Sequence, residues 1–377
     1  MKQIYLDNAS TTKVYKQVIK ETIPYLNKEY GNPSSPYELG ERAKKEINQA
    51  RNSLAKEINA KPNEIIFTSG ATESNNLTIQ GLAKSHINKK TIIISDIEHP
   101  SINEICNYLQ TLNYKIIKIP VHKDGLINLE ILEKEIKSNQ NDILLVSTTH
   151  VNNIIGTIQD IEKIGLICKL YNVSFHTDAV QSFGKIKIDV KKFNLGLLSA
   201  SGHKIGAPKG IGILYVNEKI NISPIIYGGG QERNIRSGTE NVPGIMGMAK
   251  ALEITKNTNK NKIKEIRNKL ITNLEKLGAT INGSKENRIY NNIHASFQNI
   301  EAESLVRYLS KKGIYISTGS ACDSRKEKED HVLKAIKLND NQIKGSIRIT
   351  LNEDFKEREV NFVSKEIEKA LKLLKVK

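Results

Sequence analysis

Seven short, largely apolar runs constrain this chain more than any other feature. They occupy 64–68, 91–95, 115–119, 143–147, 173–177, 195–199 and 211–216. Runs of this length without strict polar alternation suit strands buried on both faces. The stretches between them have a helical period. Leu39, Ala43, Ile47, Ala50, Leu54 and Ile58, for example, recur at steps of three and four and form one apolar stripe. Strands alternating with helices predict an α/β unit built on a large, mostly parallel sheet.

The pattern changes near residue 243. A long amphipathic helix follows, with Ile263, Ile266, Leu270, Leu274 and Leu277 on one face. Another closes the chain, carrying Val360, Val363, Ile367, Leu371 and Leu374. Short strands are expected near 292–297, 313–317 and 346–351. This second region reads as a smaller α+β domain. At 377 residues the chain exceeds what one core usually serves. The expected division is a large domain over 15–245 and a small one over 246–377, joined by residues 1–14.

Three cysteines in a chain of this length do not make a disulfide framework, and no CxxC pair marks a structural zinc. The N-terminus has no apolar stretch of signal-peptide length, and no segment approaches a membrane span. A cytoplasmic protein without a membrane role is expected. The formal net charge of +16 admits an acidic partner such as RNA, but the lysines are scattered and form no basic tail.

Several segments carry chemistry. Lys204 lies in Ser199-Ala200-Ser201-Gly202-His203-Lys204, directly after a buried strand and among small residues. A lysine that forms a Schiff base needs such a rigid, partly dehydrated setting. Ser201 and His203 can donate to a phosphate from the same turn. Asp178 ends another buried run, where a carboxylate needs a partner. It either caps the next helix or pairs with a protonated pyridine nitrogen. Phe67-Thr68-Ser69-Gly70-Ala71-Thr72 reads as strand, turn and helix start, a place for an anion. His99 follows the run at 91–95 and can lie flat on a ring. Cys106 and Cys168 sit on helical apolar stripes and read as buried and inert. Cys322, preceded by Gly319-Ser320-Ala321 and followed by a charged run, has the reactive setting. Arg348 alternates with apolar residues on a strand. It is either a surface residue or a clamp for a carboxylate.

Together these segments resemble the cysteine desulfurases, a branch of the class-V aminotransferases that includes the nitrogenase-associated and general iron–sulfur assembly enzymes. The likeness runs from Tyr5-Leu6-Asp7-Asn8-Ala9-Ser10 through Gly31-Asn32-Pro33, Glu98-His99-Pro100, His150-Val151-Asn152-Asn153 and Gly228-Gly229-Gly230-Gln231-Glu232-Arg233 to the strand around Arg348. The resemblance implies the aspartate-aminotransferase-like fold of pyridoxal 5'-phosphate (PLP) enzymes. It implies that Lys204 holds PLP and moves protons, and that His99 stacks on the ring and assists proton transfer. Asp178 would pair with the ring nitrogen and Gln181 with the ring hydroxyl. Ala71, Thr72, Ser201 and His203 would hold the phosphate, with Thr239 reaching the phosphate of a neighbouring subunit in a homodimer. Asn153 and Arg348 would meet the substrate carboxylate. Cys322 would take sulfur from L-cysteine as a persulfide and release alanine. A sulfur-acceptor protein such as an iron–sulfur scaffold, or a tRNA-thiolation partner, would follow.

The chain departs from the family pattern at Ile154, where a Glu is usual, at Tyr37, where a His is common, at Asn234-Ile235, and in the charged run 326–330. Two other outcomes stay open at this point. One is a selenocysteine lyase or another class-V PLP enzyme. The other is a basic RNA-binding protein on the same fold.

Overall fold

The computed structural model describes residues 3–319 and 331–374. Strands are numbered in chain order. β1 is Ile4–Tyr5, β2 Ile65–Thr68, β3 Thr91–Ser95, β4 Lys115–Ile119, β5 Ile143–Thr149, β6 Phe175–Asp178, β7 Leu197–Ser201 and β8 Gly212–Val216. The shorter β9 Thr280–Ile281, β10 Asn292–Ser296, β11 Ile314–Tyr315, β12 Ser317–Thr318 and β13 Ser346–Thr350 follow.

β2 to β8 form a seven-stranded sheet in the order β2-β8-β7-β6-β5-β3-β4. β3 to β7 run parallel to one another, while β8 lies antiparallel to both β2 and β7. Every residue of β2, β3, β5, β6, β7 and β8 is buried, as continuous apolar runs require. β4 is the edge and differs accordingly. It exposes Lys115 and Lys118, and these charges discourage pairing with another chain. The helix Glu38–Glu57 buries Gly40, Ala43, Ile47, Ala50, Leu54 and Ala55. Its first turn carries Glu38 and Glu41 and its last turn Lys56, which suits the helix dipole.

β12, β13, β10 and β9 form a second, antiparallel sheet. Its core gathers Ile263, Ile266, Leu270 and Leu274 with Val360, Val363, Ile367 and Leu371. These are the stripes of the helices Lys260–Lys276 and Glu357–Leu374. Ile4 and Leu6 enter the same core because β1 pairs with β11, Ile4 opposite Ile314 and Tyr5 opposite Tyr315. The start of the chain is therefore built into its last third.

The structure adjusts several boundaries. β6 and β7 begin two residues after the apolar runs do. Val173 donates its backbone N–H to Cys168 and Leu195 to Val190, at 2.9 Å each, so these amides close the preceding turns rather than the ladder. The expected strand at 313–317 is two strands in two sheets, β11 beside β1 and β12 beside β13. β9 was not expected, since two residues carry no readable period.

One glycine fixes how closely β8 approaches the turn after β2. A Cβ on Gly212 would lie 2.6 Å from the Gly70 Cα and 2.7 Å from the Ala200 carbonyl oxygen. Both neighbours are backbone and have no side chain to swing aside. Gly212→Ala is therefore expected to lose about 1–3 kcal/mol of stability through forced displacement. Urea denaturation of the two proteins measures this, and an unchanged midpoint would contradict the close contact.

Candidate active site

The carboxyl ends of β5, β6 and β7 open into one cavity of about 540 Å³. Crevices at this end of an open α/β sheet are the usual ligand sites. Ala71, Thr72, His99, Asn153, Asp178, Gln181, Ser201, His203, Lys204 and Arg348 all line it. Thr239 is exposed and is not among the lining residues. Cys322 lies outside the described residues.

Lys204 ends the single 3-10 turn Gly202–Lys204 that follows β7. Its amine donates to the Ala9 carbonyl at 2.7 Å and to the Ser10 carbonyl at 2.6 Å. His203 beside it is held well below its ordinary range, at about 4, by burial and by the charges of Lys204, Lys209 and Lys185. A neutral imidazole can still donate to an anion. Ser201 ends β7 on the same wall.

Opposite stands the start of the helix Ala71–Ser85. Its N-cap is Gly70, which supplies no side-chain acceptor for the first amides. Gly70 has φ +154°, within the range that favours glycine. Unanswered amides at a helix start, with serine and imidazole donors across the gap, form a cradle for a phosphate. Glu73 does not spoil it. Burial pushes its carboxyl up, but Arg236 at 2.8 Å and the Ser69 N–H at 2.9 Å outweigh burial and hold it below the ordinary range.

Asp178 is buried at the end of β6. Its Oδ1 accepts from the Val180 N–H at 3.0 Å and its Oδ2 from the Asn75 amide at 3.0 Å. Among the described residues no helix follows β6 before β7, so the carboxylate caps a turn instead of the expected helix, and it also lines the cavity. Gln181 donates to the Ala9 carbonyl at 3.0 Å and accepts from Lys185 at 3.4 Å. Lys185 is itself buried, and burial with the nearby Lys204 charge brings its amine down to about 7.

Arg348 is not a surface residue. Only 1% of it is exposed. Its guanidinium reaches Asp7 at 2.8 Å, the Ser10 hydroxyl at 2.6 Å and the Asn153 carbonyl at 3.1 Å. Its Nε is buried without a hydrogen-bond partner among the described residues. A cation with a spare donor on the cavity wall suits a carboxylate.

Glu98 is fully buried beside His99. It accepts from the Thr149 N–H at 2.9 Å and contacts the Ser95 hydroxyl, while its Oε2 has no partner among the described residues. Cys106 and Cys168 are buried, and burial pushes both thiols up to about 12. Neither supplies thiolate near neutrality. Ile154 packs in the large core, and Tyr37 is exposed, so neither departure from the family pattern alters the cavity wall.

Sequence reasoning missed the contributions of Asp7, Ala9 and Ser10, although their segment belongs to the resemblance. It also missed Asn75 and Ser101, which link Asp178 to His99. Their signal was weak, because each lies in the body or first turn of a helix where polar residues are ordinary.

A fold of this kind, with a lysine amine, a buried carboxylate and an anion cradle around one crevice, defines a class of PLP-binding enzymes. Comparison with known proteins agrees. The Aminotransferase class-V family model matches residues 4–363. The chain belongs to the class-V aminotransferase family and, within it, to the cysteine desulfurases. It is 44% identical to the cysteine desulfurase IscS of Methanosarcina thermophila, over 93% of this chain and 87% of that one. A solved NifS-like protein superposes with TM-score 0.92 at 38% identity, covering 99% of this chain and all (100%) of that one. The structure of SspA in complex with cysteine superposes with TM-score 0.84 at 36% identity, covering 92% and 98%. The family is PLP dependent, and the cavity fits that cofactor in its amine, anion cradle and buried carboxylate. Neither the selenocysteine lyase nor the RNA-binding alternative is favoured by these relatives. No helix among the described residues is long and apolar enough to cross a membrane.

The Glu98 carboxyl generates a pH dependence. Burial, with the Asp178 charge adding to it, pushes it up from 4.5 to about 8 against the Ser95 and Thr149 hydrogen bonds. Between these values the unfolded chain releases the proton and the folded chain keeps it. Rising pH across that interval therefore favours the unfolded state. Glu98→Gln is expected to flatten this part of the profile, with the gain over the parent growing toward pH 8. Chemical denaturation at stepped pH reads it, and parallel profiles for the two proteins would contradict a protonated Glu98.

Proposed function

We propose that the protein withdraws sulfur from L-cysteine with the help of PLP, yields alanine, and carries the sulfur on Cys322 for delivery to an acceptor. The observation that carries this reading is the convergence of Lys204, Asp178, the Ala71–Thr72 helix start and Arg348 on one cavity. The cysteine desulfurase relatives, and the similarity to SspA in its complex with cysteine, support the substrate.

The roles follow from the chemistry of each group. The amides of Ala71 and Thr72, with Ser201 and His203, would bind the cofactor phosphate. Asp178 would pair with the ring nitrogen, and its charge favours a protonated pyridine. Gln181 would donate to the ring oxygen, and His99 would cover one face. PLP, when bound, supplies an aldehyde carbon for an amine and a conjugated ring that stores an electron pair. Arg348, with Asn153 beside it, would orient the cysteine carboxylate. Lys204, on the wall of the same cavity, would take the substrate Cα proton and return it. Asp7 already shares the Arg348 guanidinium, so the incoming carboxylate meets a clamp that is held rigid. The Cys322 thiolate would then form a bond to the substrate sulfur as the bond from that sulfur to Cβ breaks. The carbon skeleton leaves as alanine after gaining its proton.

The delivery step has several supports in chemistry and kinship rather than in geometry. An iron–sulfur scaffold is the first acceptor to consider, given the IscS relatives. A tRNA-thiolation partner is the second, given the net charge of +16. A homodimer would explain why Thr239 lies away from the cavity of its own chain. A reducing, cytoplasmic setting suits a thiol that must stay free.

The test uses purified protein, L-cysteine and a reductant, with sulfide, alanine and the visible spectrum as readouts. The parent is expected to show a visible PLP band and to form both products. Lys204→Ala should lose the band and slow alanine formation by roughly 10²–10⁴-fold, the usual worth of a positioned proton-transfer group. Cys322→Ala should keep the band and lose sulfide release. Sulfide production that survives the loss of Cys322 would overturn the sulfur-carrier role.

A further inference from the structure

His99 is the N-cap of the helix Pro100–Gln110. Pro100 has no N–H, so the first amide of that helix able to donate belongs to Ser101. It does so to the His99 ring, at 3.1 Å from Nδ1. The Ser101 hydroxyl lies 2.8 Å from the same nitrogen. That hydroxyl is also 2.8 Å from the Asn75 amide nitrogen, which reaches Asp178 Oδ2 at 3.0 Å.

These contacts fix every proton in the chain of bonds. Asp178, as a carboxylate, only accepts, so Asn75 must turn its NH₂ toward it. The same NH₂ supplies the second proton to Ser101 Oγ. The Ser101 N–H already makes His99 Nδ1 an acceptor, so the Ser101 hydroxyl, while accepting from Asn75, must turn its own proton to Nδ1. The Asn75 carbonyl oxygen is left buried and without a partner among the described residues. The flipped amide would instead set that oxygen against the Asp178 carboxylate, so the orphan marks which orientation prevails. Nδ1 of His99 then receives two donors and has no room for a proton of its own.

We infer that Ser101 and Asn75 are positioning residues that hold His99 as a neutral imidazole with its single proton on Nε2. This deepens the function proposed above and rests on that reading for its catalytic meaning. The resemblance implies that His99 assists proton transfer. A ring locked this way presents a donor at Nε2 rather than a free base at Nδ1, and does not take up a second proton unless the Ser101 contacts to Nδ1 break. Surrounding groups act in the same direction on balance. Burial and the charges of Lys204 and His331 lower the basicity of His99, while Asp178 opposes them. Glu98, its chain neighbour, is protonated near neutrality and adds no charge.

The inference is tested by ¹⁵N-histidine NMR on the full-length protein, with and without PLP, assigning His99 by its loss in His99→Asn. The parent is expected to show the Nε2–H tautomer and to take up its second proton only below the ordinary imidazole range. Ser101→Ala removes one donor to Nδ1. It should make protonation of His99 easier by up to roughly tenfold, the worth of one such hydrogen bond. Ser101→Thr keeps the hydroxyl and should restore the parent titration. A thermal melt of each variant checks that it is folded. An Nδ1–H tautomer in the parent, or identical titrations in the parent and Ser101→Ala, would overturn the inference. The tautomer is read without turnover, so a missing desulfurase activity would strike the functional reading and leave this one standing.

Discussion

A guanidinium removed from water needs fixed partners, and much of this structure is arranged to supply them to Arg348. Arg348 sits in the middle of β13, in the second sheet. It is answered by Asp7 and Ser10 from the first residues of the chain and by Asn153 from the turn after β5. Three distant stretches therefore meet at one cation. Removing any single partner from a buried charge of this kind leaves the rest uncompensated, a loss of about 3–5 kcal/mol for an isolated pair. The same contacts bring the Ala9 and Ser10 carbonyls over Lys204. The clamp and the reactive amine thus share one support.

Several titratable groups in and around the cavity are pushed toward their neutral forms. His203 and His99 are both disfavoured as cations by burial and by Lys204. Glu98 keeps its proton, and Lys185 stands near the point of losing one. The groups with firm ionic partners on the wall are Glu73 with Arg236 and Arg348 with Asp7. A site that must receive a phosphate and a carboxylate is better served by donors in fixed places than by mobile charge. The neutral rings, helix amides and hydroxyls provide them.

The large sheet was legible because its strands are buried on both faces, so that Ile92, Ile93 and Ile94, or Leu144, Leu145 and Val146, stand in unbroken apolar runs. The site residues were legible where they follow such a run directly, as Asp178 follows Phe175-His176-Thr177 and Lys204 follows the run into Ser201. What stayed hidden depends on contacts far apart in sequence. Nothing near Asp7 announces that it will face Arg348, and an alternating strand leaves open which side of 346–350 is covered. Asn75 and Ser101 gained their roles only when two helix starts were brought together at the end of β6. The split of 313–317 into β11 and β12 was invisible for the same reason, since β11 exists only because β1 arrives beside it.

That arrival sets an order on the making of the protein. β1 pairs with β11, and the bond between Asp7 and Arg348 spans 341 positions. During synthesis Ile4 and Asp7 are made long before Ile314 and Arg348, their partners in the last third of the fold. The large sheet can close beforehand, since its strands lie between residues 65 and 216. The site cannot. Its Arg348 can meet Asp7 and Ser10 only once the strand that carries it has been made. A chain still short of β13 could therefore carry the wall of the cavity without a working clamp, which keeps sulfur chemistry silent until that strand is in place.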